Sequence, residues 1–357
     1  MARKQRYSKA DNGEGIGFKI KTYISDVFYR LSVAIHKLFS KFKKKAPSFE
    51  TCTQAQLRKM KKTAKLKETL CIWSILIIPL INLFIFWVVG TLYSVPVAFE
   101  YYPASGGKEY SLFNFQYIFD AMREPGSIFL NAFTNTLKYW SVGWFFLMPL
   151  SYLISFFLYK RIPGYRIFRY VFYIPTILSP IIVSSVNLYL LAPGGVVSTL
   201  AEKAFGIEGL MLLETSETAF PTLVVLTCIT GLTGNMLYWL ASYARIPQEV
   251  VEAGKLDGLG FFGEFWYIAF PITGGFFATF MMLALTGILT SGGPALLYTD
   301  GNYGTYDLGF FEYKMTVSGS LQSQAIGGAV GLLKGVITLP IALVVNRLVG
   351  KIETVEV

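Results

Sequence analysis

The stretch LCIWSILIIPLINLFIFWVVGTLY, running from Leu70 to Tyr93, carries no charged side chain. An α-helix rises about 1.5 Å per residue, so about 20 such residues cross roughly 30 Å of hydrocarbon. Pro79 and Asn82 interrupt the run, and membrane helices tolerate such residues where neighbouring helices satisfy the freed backbone groups. The run starts too late in the chain for a secretory leader and reads as a first span that is not cleaved. Comparable runs recur at 133–158, 168–192, 219–243, 267–290 and 326–348. The pattern predicts an all-α polytopic membrane protein with six transmembrane helices.

Composition agrees. Of 357 residues, 53% are hydrophobic and 15% charged, against about 25% charged in an ordinary soluble domain. That balance excludes a soluble enzyme core and a disordered chain. The net charge of +10 needs no nucleic-acid partner, because cytoplasmic segments of membrane proteins collect Lys and Arg. Of 32 Lys and Arg, Lys108, Arg123, Lys203 and Lys314 fall in the loops on one side; Lys138 and Lys334 lie within spans, and the rest gather on the other side. This asymmetry places both termini in the cytoplasm. Cys52, Cys71 and Cys228 lack metal-ligand spacing, and no disulfide framework is expected.

Residues 1–69 form a basic cytoplasmic tail ahead of a membrane part spanning 70–350, with a short C-terminal piece at 351–357. Within 19–45, Ile20, Ile24, Val27, Phe28, Leu31, Ile35 and Phe39 recur at helical spacing among lysines and arginines. A basic amphipathic helix of this kind lies well on anionic lipid. The alternative is a solvated tail that only enforces topology.

Between the fourth and fifth runs stands ARIPQEVVEAGKLDGLGFFGEFWYIAFP, from Ala244 to Pro271. Pro247 suits the first turn of a helix. Glu249 and Glu252 complement its positive end, and Gly258 supplies a stop after Asp257. The spacing predicts a short helix, a glycine turn and a second helix re-entering the membrane: a cytoplasmic knob.

The string is similar to the EAA loop of ABC importer permeases, in which Glu-Ala-Ala is followed by Asp-Gly and an apolar segment ending in Pro. Glu252, Ala253, Asp257, Gly258, Ile268 and Pro271 match; Gly254 replaces the second Ala, costing about 1 kcal/mol of helix propensity, and Leu259 replaces another Ala. The membrane part resembles maltose-type carbohydrate permeases, particularly the branch serving lipoprotein-linked complex polysaccharides. Tyr93-Ser-Val-Pro-Val-Ala-Phe99, Asn135-Thr-Leu137, Tyr173-Ile-Pro175, Pro193-Gly-Gly-Val-Val197, Gly331-Leu-Leu-Lys334 and Asn346-Arg347 carry that likeness. It implies the type I importer architecture. It also implies a homologous second permease, two cytoplasmic ATPase subunits that bind ATP and Mg, and an extracytoplasmic substrate-binding lipoprotein. Glu252, Ala253, Gly254, Asp257 and Gly258 would then couple this chain to an ATPase.

No phosphate-binding Gly-x-x-x-x-Gly-Lys-Ser/Thr loop occurs, and the single histidine, His36, lies in the tail. With no catalytic triad, metal site or paired carboxylates within the membrane, no enzyme activity and no cofactor are expected on this chain. Sugar passage needs hydrogen-bonding groups beside aromatic faces. The fourth run offers Thr227, Thr230, Gly231, Gly234, Asn235 and Tyr238, most of them on one helical stripe, and the resemblance turns that stripe toward the transport path. Asn187 and Tyr189 are further candidates, with Thr286 behind them. Lys138 and Lys334, charged within spans, either line the path or serve structure. The alternatives are an ABC permease for another solute, or a self-contained secondary transporter with inverted repeats and half-helices.

Overall fold

The computed structural model describes residues 54–206 and 211–350, with side chains from Lys65 onward except that of Phe205. The amphipathic stretch expected at 19–45, Cys52 and the piece 351–357 lie outside the described residues. Two compact units divide the chain, Met1–Phe84 and Ile85–Val357, and each is described by itself. Of the first, the described part is chiefly helix α1, Gln54–Asn82, which takes in Arg58 and the lysines up to Lys67 and then the first half of the apolar run.

The second unit is almost wholly helical. Beyond a π-helical stretch, Leu83–Val89, comes α2 (Gly90–Ala98), then a two-residue hairpin of β1 (Glu100–Tyr101) against antiparallel β2 (Glu109–Tyr110). Helix α3 (Phe113–Arg123) leads to α4 (Ile128–Ser141), which runs through π-helical Val142–Leu147 into α5 (Met148–Tyr159). Helices α6 (Tyr165–Ile177), α7 (Pro180–Leu191), α8 (Val196–Phe205) and α9 (Ala219–Tyr243) follow. The knob helix α10 (Gln248–Leu256) precedes α11 (Phe261–Glu264), π-helical Phe265–Ala269 and α12 (Phe270–Leu285). Short α13 (Ala295–Tyr298), α14 (Leu308–Val317) and long α15 (Leu321–Val349) complete the chain.

Among the described residues, five helical runs are long and apolar enough to cross a membrane: Lys65–Ala98, Ile128–Tyr159, Ala219–Tyr243, Phe261–Leu285 and Leu321–Val349. The run expected at 168–192 is not one straight helix. α6 and α7 meet at a 110° bend, and count as a sixth span only if taken together. The cause is local: Pro180 disfavours helical geometry at the residue before it and has no N–H to donate, and Leu178 and Ser179 are extended, with ψ of 148° and 138°. The run expected at 267–290 begins earlier, at Phe261, and its helix ends at Leu285.

Three apolar clusters hold the second unit. One joins Ala98, Ile118, Phe129, Phe311, Ala329 and Val330. A second joins Tyr139, Leu191, Leu223 and Phe310. The third lies at the knob end and gathers Tyr152, Phe156, Trp239, Tyr243, Val251, Phe265 and Ile268. Small residues let α15 and α2 approach: a Cβ on Gly328 would meet Ala98 N at 3.6 Å and Ser94 O at 3.8 Å. Buried Asn135 donates to the Gly304 and Tyr306 carbonyls at 2.7 and 2.8 Å, and Leu308 N donates to Thr136 Oγ1 at 2.9 Å. The Asn-Thr pair thus pins the 300–308 loop onto α4. Trp140 and Trp144 donate to the carbonyls of Ala284 and Met281 at 3.0 and 2.9 Å, so these rings tie α4 and the π-helical stretch after it to α12. Large apolar side chains remain outward elsewhere: Ile78, Phe86 and Ile177 are 72, 75 and 81% exposed, as a surface facing lipid or a partner helix requires.

Candidate functional site

The knob is built at the end of α9. Buried Trp239 donates to Ser151 Oγ at 2.8 Å and the Tyr243 hydroxyl donates to the Tyr152 carbonyl at 3.0 Å, which fastens α9 to α5. Ile246 is buried, and Pro247 stands at the N-cap of α10 rather than in its first turn, because its ψ of 136° is extended. Glu249 occupies the first turn, where the helix dipole favours it.

The helix stops in a Schellman motif. Leu259 N donates to the Gly254 carbonyl at 2.9 Å and Gly258 N to the Lys255 carbonyl at 3.1 Å. Gly258 has φ of +82°, a left-handed conformation that costs glycine nothing. Gly254 is buried under Ile268: a Cβ there would lie 2.5 Å from Ile268 Cδ1 and 3.1 Å from Leu259 Cδ1. The opposite face looks outward. Glu252, Ala253, Leu256, Asp257 and Gly258 are exposed, Leu256 to 91%, and Gln248 Nε2 donates to Glu252 Oε1 at 2.8 Å.

Beneath the knob lies a pair that sequence reasoning missed. Lys160 Nζ, at the C-cap of α5, donates to both carboxylate oxygens of Glu264, at 2.6 Å to Oε1. Its sequence signal is Glu264 itself, the one acidic residue in the apolar run 261–285.

The candidate path residues are less gathered. On α9, Thr227 Oγ1 donates to the Leu223 carbonyl at 2.8 Å, and Thr230 Oγ1 to Leu226 and Thr227 at 3.0 and 3.1 Å, so both hydroxyl protons are spent within the helix. A Cβ on Gly231 would meet Leu147 Cδ2 at 2.5 Å, whereas one on Gly234 would meet nothing within 4 Å. The room is therefore at Gly234. Half-buried Asn235 makes no hydrogen bond among the described residues, and exposed Tyr238 rests against Phe280 with ring centroids 5.3 Å apart. Asn187 sits on α7 and donates to the Tyr298 hydroxyl at 2.8 Å. Exposed Lys138 stands 5.0 Å from the centroid of Phe220. Lys334 bonds neither helix ends nor a carbonyl: it pairs with Glu312 Oε2 at 2.7 Å, so its charge is already matched. No group of three or more His, Cys, Asp or Glu side chains able to hold a metal occurs among the described residues.

This fold, with a knob ahead of an apolar helix, is shared with a solved bacterial ABC transporter. The chain is similar to permeases of bacterial sugar transport systems, as four comparisons illustrate. It is 23% identical over 244 residues to the arabinooligosaccharide transport system permease AraP of Bacillus subtilis, covering 66% of this chain and 75% of that protein. It is 24% identical over 285 residues to protein LplB of the same organism, covering 78% and 88%. It is 27% identical over 224 residues to the polygalacturonan/rhamnogalacturonan permease YteP, also of Bacillus subtilis, covering 61% and 68%. A solved bacterial ABC transporter for the acidic polysaccharide alginate shares the fold, with a TM-score of 0.67 at 20% identity over 82% of this chain and 99% of that one. No protein-family profile matches the chain. Its apolar helical runs and its likeness to permeases mark an integral membrane protein.

Proposed function

We propose that this chain forms half of the translocation path of an ATP-driven oligosaccharide importer. It crosses the bacterial plasma membrane six times with both termini in the cytoplasm, the bent α6–α7 pair serving as one span. A homologous second permease completes the path, two ATPase subunits bind ATP and Mg inside, and a substrate-binding lipoprotein delivers sugar outside. Loading outside and closing inside need one mechanical link, which is the knob.

The observation that carries this reading is the outward face of α10. Glu252, Ala253, Leu256 and Asp257 stand exposed on a helix that Gly258 stops and that cluster packing holds at the head of α12. A charged and apolar mixed face, rigidly backed, suits a cleft on another protein. Oligosaccharide is favoured as cargo by the arabinooligosaccharide and polygalacturonan transport for which AraP and YteP are named, and by the half-buried amide and open glycine on α9. A second reading, a small anionic polyol, is favoured by 25% identity over 206 residues to the sn-glycerol-3-phosphate permease UgpA of Escherichia coli, covering 52% of this chain and 65% of that one.

Purification from native membranes in mild detergent tests the assignment. An ATPase and a second permease should copurify, with vanadate-sensitive ATP hydrolysis. Glu252→Lys should release the ATPase while the permease stays in the membrane, because among the described residues the Glu252 side chain bonds only Gln248. A pure, ATPase-free chain that transports alone would make it a secondary transporter. Uptake of labelled arabinan, galacturonan and glycerol phosphate by the same cells separates the cargo readings.

A further inference from the structure

We infer that Lys160 and Glu264 form a clasp that makes the inner end of α4–α5 move with the knob, a positioning role that rests on the importer reading above. The knob is continuous with only one span on its C-terminal side: Glu264 ends α11 and the helical run proceeds into α12. Motion of the knob therefore reaches α12 through the chain itself. It reaches α5 across side-chain contacts: through α9, which the Trp239–Ser151 and Tyr243–Tyr152 hydrogen bonds fasten further along α5, and at the inner end of α5 through the face packed on 261–265.

A buried hydrogen bond between the Tyr152 hydroxyl and Thr273 Oγ1 at 2.5 Å joins the middle of α5 to α12, and at the inner end of α5 the contact has two parts. Aromatic rings fill the floor: Phe156 lies 5.1 Å from Phe261 and 5.0 Å from Phe265, and Phe157 lies 4.9 Å from Phe261, centroid to centroid. Ring contacts resist separation, but their preferred geometries span a range of distances and tilts, so they set position less sharply than a bidentate charged pair. The ion pair here is of that kind. Lys160 donates to both Glu264 oxygens, and the two side chains are only 17 and 5% exposed. Charges so far from water are strongly penalised if they part, so the pair separates as an all-or-none event rather than by degrees. Its position adds to this. Lys160 caps the C-terminal, negative end of α5, and Glu264 sits in the first turn of the helical run that becomes α12, each charge matching the helix end it occupies. Among the described residues it is the only ion pair at the knob end of the molecule; the others join Lys108 to Glu100, Lys314 to Asp300 and Lys334 to Glu312.

The test uses the whole importer in nanodiscs, with ATP and vanadate as the probe and hydrogen exchange as the readout. In the unsubstituted complex, vanadate trapping should change exchange in both 261–270 and 156–161. In the apolar double variant Lys160→Met/Glu264→Met, which strands no buried charge, the change at 261–270 should persist and that at 156–161 should be lost, with vanadate-sensitive hydrolysis retained. The swapped variant Lys160→Glu/Glu264→Lys should restore the response at 156–161, which a role in side-chain volume alone would not give. Continued response of both segments in the apolar variant overturns the clasp, as does loss of both together. If the unsubstituted complex shows no vanadate-sensitive hydrolysis, the importer reading fails first and the clasp with it.

Discussion

Gly254 and Ile268 meet so closely that a methyl group on Gly254 would stand 2.5 Å from Ile268 Cδ1. The knob helix and the segment it packs on are thus in contact at a backbone, where the loop pattern ordinarily carries alanine. Ile268 Cδ1 is the far end of a rotatable side chain, so Gly254→Ala should be accommodated by a small turn of that chain. Its cost is offset by about 1 kcal/mol of helix propensity. Gly254→Leu has nowhere to go, since Ile268 and Val251 are buried, and overpacking of this kind costs about 1–3 kcal/mol. Thermal unfolding of the solubilised permease, with ATPase retention on the same samples, should leave Gly254→Ala near the parent and lower Gly254→Leu in both. A Gly254→Leu protein as stable and as well docked as the parent would remove the contact from the account.

Much of this was legible in the sequence, for physical reasons that also set the limit. A membrane forces a helix to be apolar over its full length, so six runs stand out without any knowledge of packing, and five of them are single helical runs. The knob is equally local: Pro247, Glu249 and Gly258 each act through their own backbone or helix dipole. What was hidden is whatever joins elements far apart in sequence. Lys160 reads only as an inner-side charge until Glu264 is brought to it, and Lys334 reads as a free charge until Glu312 arrives on α14. The 110° bend was hidden differently. Pro175 lies inside α6 without ending it, while Pro180 ends the helix before it, and only the extended Leu178–Ser179 backbone distinguishes the two. Gly231 and Gly234 look alike as residues, yet Leu147 fills the space of one alone.

The Lys334–Glu312 pair predicts a structural effect rather than a choice among sugars. The side chains are 14 and 25% exposed, and Glu312 Oε1 is buried without a partner, so the carboxylate depends on Lys334. Lys334→Met should cost about 2 kcal/mol, the scale of a hydrogen bond to a charged group. Lys334→Met/Glu312→Gln should recover most of it. Uptake of acidic and neutral oligosaccharides should fall equally in the single variant, following protein abundance. A selective loss of acidic uptake at normal abundance would instead put Lys334 in the path.

The hairpin after α2 should loosen in acid. Buried Glu100 accepts from the Lys108 ammonium and from the Tyr102 hydroxyl at 2.6 Å. These contacts, Lys108 first and Tyr102 second, hold its carboxyl below the ordinary value of 4.5. A carboxyl that binds protons less readily folded than unfolded contributes stability above its unfolded range, and that contribution is lost as pH falls through the folded value. Between pH 7 and 5 the hairpin should therefore be insensitive, and below about 4.5 exchange of the Ser111 N–H, bonded to the Phe99 carbonyl at 2.8 Å, should accelerate. Glu100→Gln should flatten that profile. An equal acid response in Glu100→Gln would assign it to other groups.

The path prediction turns on the two glycines of α9. Gly231→Trp drives a ring into Leu147, itself 7% exposed and within the π-helical stretch between α4 and α5, so it should lower the yield of folded permease. Gly234→Trp meets open space and should leave folding and ATPase copurification intact while blocking large oligosaccharides. Asn235→Leu removes an amide that has no partner among the described residues, so little stability is lost with it. If the amide meets sugar, each missing hydrogen bond costs about 1 kcal/mol of binding, and uptake should weaken several-fold without loss of protein. Competition uptake with oligosaccharides of increasing length is the decisive measurement. Gly234→Trp should reject long chains before short ones, as a narrowed passage would. Unchanged uptake of every length by a well-folded Gly234→Trp permease would turn this stripe of α9 toward lipid or another helix, and the path would have to run elsewhere.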